Sequence, residues 1–138
     1  MKKEFEILNH TADVGIIAYG ADVNEAFANA AKGLFSLITG LDDVEEIEHR
    51  DIELTASDQE SLLVGWLNEL IYLFDAEQML FKRFDITQLS QTRLKARSYG
   101  HKVGSSKHKI KTGVKAATYH MLKIDKGNGS KVQVLFDI

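Results

Sequence analysis

The sequence predicts an α+β fold, a single domain over residues 1–138 with two helices packed on one face of a mostly antiparallel or mixed sheet of about six to seven strands. Three observations predict it. Segments 22–40 and 57–77 carry apolar residues at the helical period behind capping residues, while most other apolar segments alternate with a period of two. Helices and strands do not alternate strictly, and most connections are hairpin-like. With 138 residues, 44% of them hydrophobic, the chain fills one core and is short for two.

In chain order, Phe5 and Ile7, then Val14, Ile16, Ile17 and Tyr19, form two short runs rich in β-branched and aromatic residues, joined across "NHTAD". The segment "DVNEAFANAAKGLFSLITG" begins on Asp22 as N-cap, with Glu25 three residues on as an acidic capping box. Its apolar face falls on Phe27, Ala30, Ala31, Leu34, Phe35 and Ile38, and Gly40 suits a left-handed C-terminal turn. "EHRDIELTA" alternates Ile52 and Leu54 with charge and predicts a strand. In "SDQESLLVGWLNELIYLFDAE", Ser57 and Glu60 make a capping box, and Leu63, Trp66, Leu67, Leu70, Ile71 and Phe74 make a buried stripe. Beyond Met79 the helical period ends and four alternating segments follow, the last two divided by "KGNGS", whose Asn-Gly pair signals a hairpin. "GHKVGSSKHKIKTG" has no periodicity and predicts a loop.

Seventeen basic and 20 acidic residues leave a net charge of -3, so no global field draws in nucleic acid. The distribution is uneven: ten Lys and Arg residues fall between Lys82 and Lys115 against the single acid Asp85. Most of a charge run stays solvated, and a minority can meet an acidic partner or a phosphate. The chain has no cysteine, which excludes disulfides, thiolate metal sites and cysteine nucleophiles and suits a reducing cytosol. "MKKEFEIL" lacks the apolar region of a signal peptide, and no apolar run is long enough for a membrane span. A cytoplasmic protein without membrane partners is expected.

The chemistry left open is that of carboxylates and a lysine. His10, His49, His101, His108 and His120 show no zinc-helix spacing, no G-x-S-x-G elbow marks a serine nucleophile, and "GHKVGSSKH" lacks the Walker A spacing. Asp13 stands between two strands, as a turn residue bonding its own backbone or as a ligand. The terminal "FDI" sets the Asp137 carboxylate beside the α-carboxylate of Ile138, as a frayed end or as a pair of hard oxygen donors for Ca²⁺ or Mg²⁺. Lys115, in "GVKAATYH", is expected on a central, half-buried strand, as an edge charge or a phosphate contact.

Taken together, the blocks "HTADVGIIAYG" with "EAFANAAKGLF", "LLVGWLNELIYLFD", "VKAATYHMLKI" and the terminal "FDI" resemble the archease family in order and across essentially the whole chain. The sequence departs from the family's pattern at Gly113 and at "GSKV" in the last hairpin. The resemblance implies a non-enzymatic protein of tRNA processing and splicing. It would promote guanylylation of a GTP-dependent RNA ligase of the RtcB type and so allow multiple turnover. It further implies Asp13, Asp137 and Ile138 as ligands of a divalent cation, Ca²⁺, Mg²⁺ or Mn²⁺, and Lys115 as a functional residue for partner activation, with His10 the accompanying candidate. Contact with GTP or tRNA would then be indirect, within the complex. Two other readings compete: a general chaperone or RNA-modification helper that binds clients through an apolar surface, and a stand-alone metal-dependent enzyme.

Overall fold

The computed structural model describes residues 3–9, 13–103 and 110–138. Its elements run β1 (Phe5–Asn9), β2 (Val14–Gly20), α1 (Val23–Ile38), a 3-10 turn (Leu41–Asp43), β3 (Glu48–Thr55), α2 (Gln59–Glu77), β4 (Met79–Leu89), β5 (Arg93–Lys102), β6 (Ala116–Asp125) and β7 (Ser130–Asp137). Two helices and seven antiparallel strands give the α+β class read from the sequence. The strands divide between a four-stranded sheet, β1-β2-β7-β6, and a three-stranded sheet, β3-β5-β4.

Both helices touch both sheets through their broad apolar surfaces. Helix α1 packs against β1, β2 and β7 on one side and β4 on the other, and α2 packs against β6 and the three-stranded sheet. Gly33 makes the first approach possible, because a Cβ there would stand 2.9 Å from Ile16 Cδ1. Across α1, Phe35 meets Phe81 edge-on at 5.6 Å and stacks on Phe84 at 5.9 Å. Trp66 of α2 joins the same cluster through Phe84 at 6.0 Å, and its indole N–H donates to the Phe27 carbonyl at 3.0 Å. One hydrophobic core results, with Trp66, Phe27, Phe35 and Phe81 fully buried. At Gly100, beside a bulge in β4, a Cβ would lie 1.7 Å from the Leu80 carbonyl oxygen, so only glycine fits the ladder there.

The helix ends partly differ from expectation. Asp22 caps α1 as read, accepting from the Glu25 N–H at 2.9 Å while Glu25 accepts from Ala21 N–H at 2.8 Å. Gly40 is not left-handed: it has φ -74° and leads into the 3-10 turn, and Thr39 ends the helix in extended conformation. The cap of α2 is Asp58 rather than Ser57, its carboxylate accepting from Ser61 N–H at 2.7 Å. An ionised carboxylate is the stronger acceptor at an exposed helix N-terminus, where the helix dipole also favours negative charge. The "KGNGS" hairpin forms between β6 and β7, with Gly129 at φ 84°.

Several exposed acids are tied to this fold electrostatically. The Ser61 N–H and hydroxyl hold the Asp58 carboxyl below its ordinary 3.8, and the Arg97 guanidinium does the same to Asp51. The Tyr19 hydroxyl lowers Glu6, and Arg93 lowers Glu53, from their ordinary 4.5. A group more acidic folded than unfolded stabilises the fold above its unfolded value and loses that contribution as pH falls through its folded value. Resistance to urea is therefore expected to decline on acidification from about pH 4.5 downward. Asp58→Asn, which keeps a capping oxygen without the titration, should flatten part of that decline when unfolding midpoints are compared across pH.

Candidate functional site at one end of the four-stranded sheet

Backbone register decides where the candidate residues meet. Strand β1 ends where β2 begins, with Asn9 opposite Val14, and Val14 in turn lies opposite Phe136 of β7. Asp13 precedes Val14 and Asp137 follows Phe136, so the two acids stand one step beyond that pair on neighbouring antiparallel strands. On the other side of β7, Ala116 pairs with Asp137, and the Lys115 N–H donates to the Asp137 carbonyl at 2.8 Å. One end of the sheet thus gathers Asp13, Lys115, Asp137 and the terminal residue Ile138, from segments more than a hundred positions apart in the chain. Asp13 is half-buried, Asp137 is exposed and Ile138 is 49% exposed.

Lys115 departs from expectation. It is exposed and lies just before β6, which is an edge strand of its sheet rather than a central one. The ladder ends there because β6 has β7 on one side only, and its other side meets α2. His10 lies outside the described residues, as do Gly104, Ser105, Ser106, Lys107, His108 and Lys109 of the predicted basic loop.

Among the described residues, the side-chain donors at this end are the carboxylate oxygens of Asp13 and Asp137. Such a set fits a hard cation of the Ca²⁺, Mg²⁺ or Mn²⁺ type and suits no soft-ligand metal. Among the described residues no three His, Cys, Asp or Glu side chains gather in a group that could hold a metal, at this end or elsewhere. The sequence reading passed over Asn68. Its carboxamide, on α2, bonds the backbone of Ala117 beside this end of the sheet. Its one legible signal was a polar residue set in the apolar run "LLVGWLNELIYLF".

A cleft of about 1140 Å³ lies elsewhere, at the opposite end of the same sheet, where Gly20 pairs with Ser130. Its charges are already engaged: Lys32 with Glu4 at 2.7 Å, Arg83 with Glu46 at 2.6 Å and with Asp85 at 2.9 Å, and Glu6 with Lys3 and the Tyr19 hydroxyl. Shape alone therefore favours that cleft, while among the described residues no ion pair engages Asp13, Asp137 or Lys115. On the three-stranded sheet, Arg83, Arg93, Lys95 and Arg97 of the basic run are engaged by acids or an aromatic ring. Arg97 bonds Asp51 at 2.7 Å, Arg93 and Lys95 share Glu53 at 3.0 and 3.3 Å, and Arg83 lies over the Tyr99 ring at 3.7 Å. No described helix is long and apolar enough to cross a membrane.

The chain has known relatives over nearly its whole length. Residues 5–138 match the model of the Archease protein family. The chain is 39% identical to the archease of Methanosarcina mazei over 99% of its own length and 97% of that protein. It is 46% identical to that of Saccharolobus islandicus over 99% of both chains. Among solved structures, protein 1598 of Methanobacterium thermoautotrophicum superposes with a TM-score of 0.85 at 36% identity, over 98% of this chain and 99% of that one. An archease of Thermotoga maritima described as a possible chaperone shares the fold, with a TM-score of 0.63 at 22% identity over 100% of this chain and 98% of that one.

Proposed function

The chain belongs to the archease family, and on that premise we propose that it is an accessory protein of RNA ligation, not itself an enzyme, that activates a GTP-dependent RNA ligase of the RtcB type. The observation that carries the reading is the convergence of Asp13, Asp137, Ile138 and Lys115 at one sheet end through strand register. Asp13, Asp137 and the α-carboxylate of Ile138 would hold a divalent cation, which when bound supplies a focused positive charge for phosphate or carboxylate oxygens. The chain's own contribution is presentation. Neighbouring strands bring the two aspartates to one end of the sheet, and the backbone bond from Lys115 to Asp137 ties the start of β6 to that end. A tip of this kind suits the nucleotide site of a partner, where GTP phosphates must be oriented during guanylylation.

Multiple-turnover ligation by a purified RtcB-type ligase, with and without this chain, tests the reading. The expected result is a rise from about one product per ligase to many. Absence of any rise overturns the ligase assignment and returns the chain to the client-binding reading, for which its exposed Tyr72, Tyr119 and Met121 would be the first residues to probe. GTP consumption by the chain alone would instead make it an enzyme.

A further inference from the structure

An edge strand leaves backbone N–H and C=O groups pointing away from its sheet. In β6 those of Ala117 point at α2, where the Ala117 N–H donates to Asn68 Oδ1 at 2.7 Å and Asn68 Nδ2 approaches the Ala117 carbonyl at a long 3.5 Å. A carboxamide offers one acceptor and one donor, as a peptide unit does, so Asn68 occupies the place of the missing neighbouring strand. The base is firm: Leu67 and Leu70 on either side of Asn68 are fully buried. Ala117 stands opposite Phe136, two residues from Lys115, and Lys115 is itself bonded to Asp137.

We infer that Asn68 is a positioning residue for the acidic tip, clamping the start of β6 so that Lys115 and Asp137 keep their shared backbone bond. The functional half of this inference rests on the cation-holding activator reading above. A helix-borne side chain suits the task better than a further strand would, because it ends the sheet. The edge stays closed to strand addition at the point where a partner must reach the tip.

Asn68→Leu removes both bonds at similar size, and Asn68→Asp keeps the oxygen that accepts from Ala117. Amide exchange by NMR on the uncomplexed chain should show the Lys115 and Ala117 amides exchanging about tenfold faster in Asn68→Leu, the worth of one lost hydrogen bond. Amides of α1 should keep their rates, and Asn68→Asp should protect Ala117 nearly as the native residue does. Titration of each protein with Mn²⁺ should then show weaker binding in Asn68→Leu. If the leucine variant loosens throughout, Ala117 in the Asp variant decides, and rapid exchange there overturns the clamp. Native exchange at Lys115 in Asn68→Leu overturns it as well, and so does faster exchange with unchanged Mn²⁺ affinity. Should the native chain bind no Mn²⁺, the cation reading falls, and exchange at Lys115 alone decides whether Asn68 positions that residue.

Discussion

Asp13→Ala is expected to fold as the native chain does and to lose ligase activation almost completely. The residue lies outside the strands, half-buried at the sheet end. Changes at such positions usually shift stability by no more than about 0.5 kcal/mol. Its removal nevertheless takes one of two side-chain carboxylates from the proposed cation site, and hard cations depend on the number and charge of their oxygen ligands. Deletion of Ile138 should act in the same direction by moving the terminal carboxylate back onto Asp137. The measurements are an unfolding curve and the multiple-turnover assay on each variant. Native stability with lost activation assigns the tip to function. A large loss of stability would make Asp13 a structural residue and overturn its assignment as a ligand.

Trp66→Ala is expected to show the opposite pattern, with stability falling by about 3–5 kcal/mol. The ring is wholly buried, meets Phe84 edge-on and ties the two helices together through its bond to the Phe27 carbonyl. Truncation leaves a cavity where α1, α2 and β4 meet. A domain of ordinary stability, about 5–15 kcal/mol, would lose a large part of it. Denaturant unfolding followed by circular dichroism measures the effect. A loss below about 1 kcal/mol would mean that the core recloses around the vacancy and that the aromatic cluster is not the anchor described above. Activation by this variant should track its folded fraction, which separates it from Asp13→Ala.

Some features of the fold were legible because their causes are local. Helix α1 announced itself through Asp22, Glu25 and an apolar repeat within a single segment, and the "KGNGS" turn did so through two glycines and an asparagine. Two of the errors were local as well. Ser57 and Asp58 are both good caps, and only the geometry of the α2 entry selects the aspartate. Gly40 permits a left-handed turn but does not force one, and the 3-10 turn that follows took it elsewhere.

By itself, then, the sequence determined the helices, the strands, most of the core and the separate candidacy of Asp13, Lys115, Asp137 and Ile138, since each follows from the residue and its near neighbours. The tertiary structure alone decided that seven strands form two sheets, that Lys115 is exposed beside an edge strand, and that α2 grips that edge through Asn68. It also decided that Arg83, Arg93, Lys95 and Arg97 of the basic run are paired from afar, as Arg97 is by Asp51, 46 positions upstream. The physical reason is the same throughout. Side chains become neighbours through strand register and helix docking, which satisfy backbone hydrogen bonds and bury apolar faces across the whole chain.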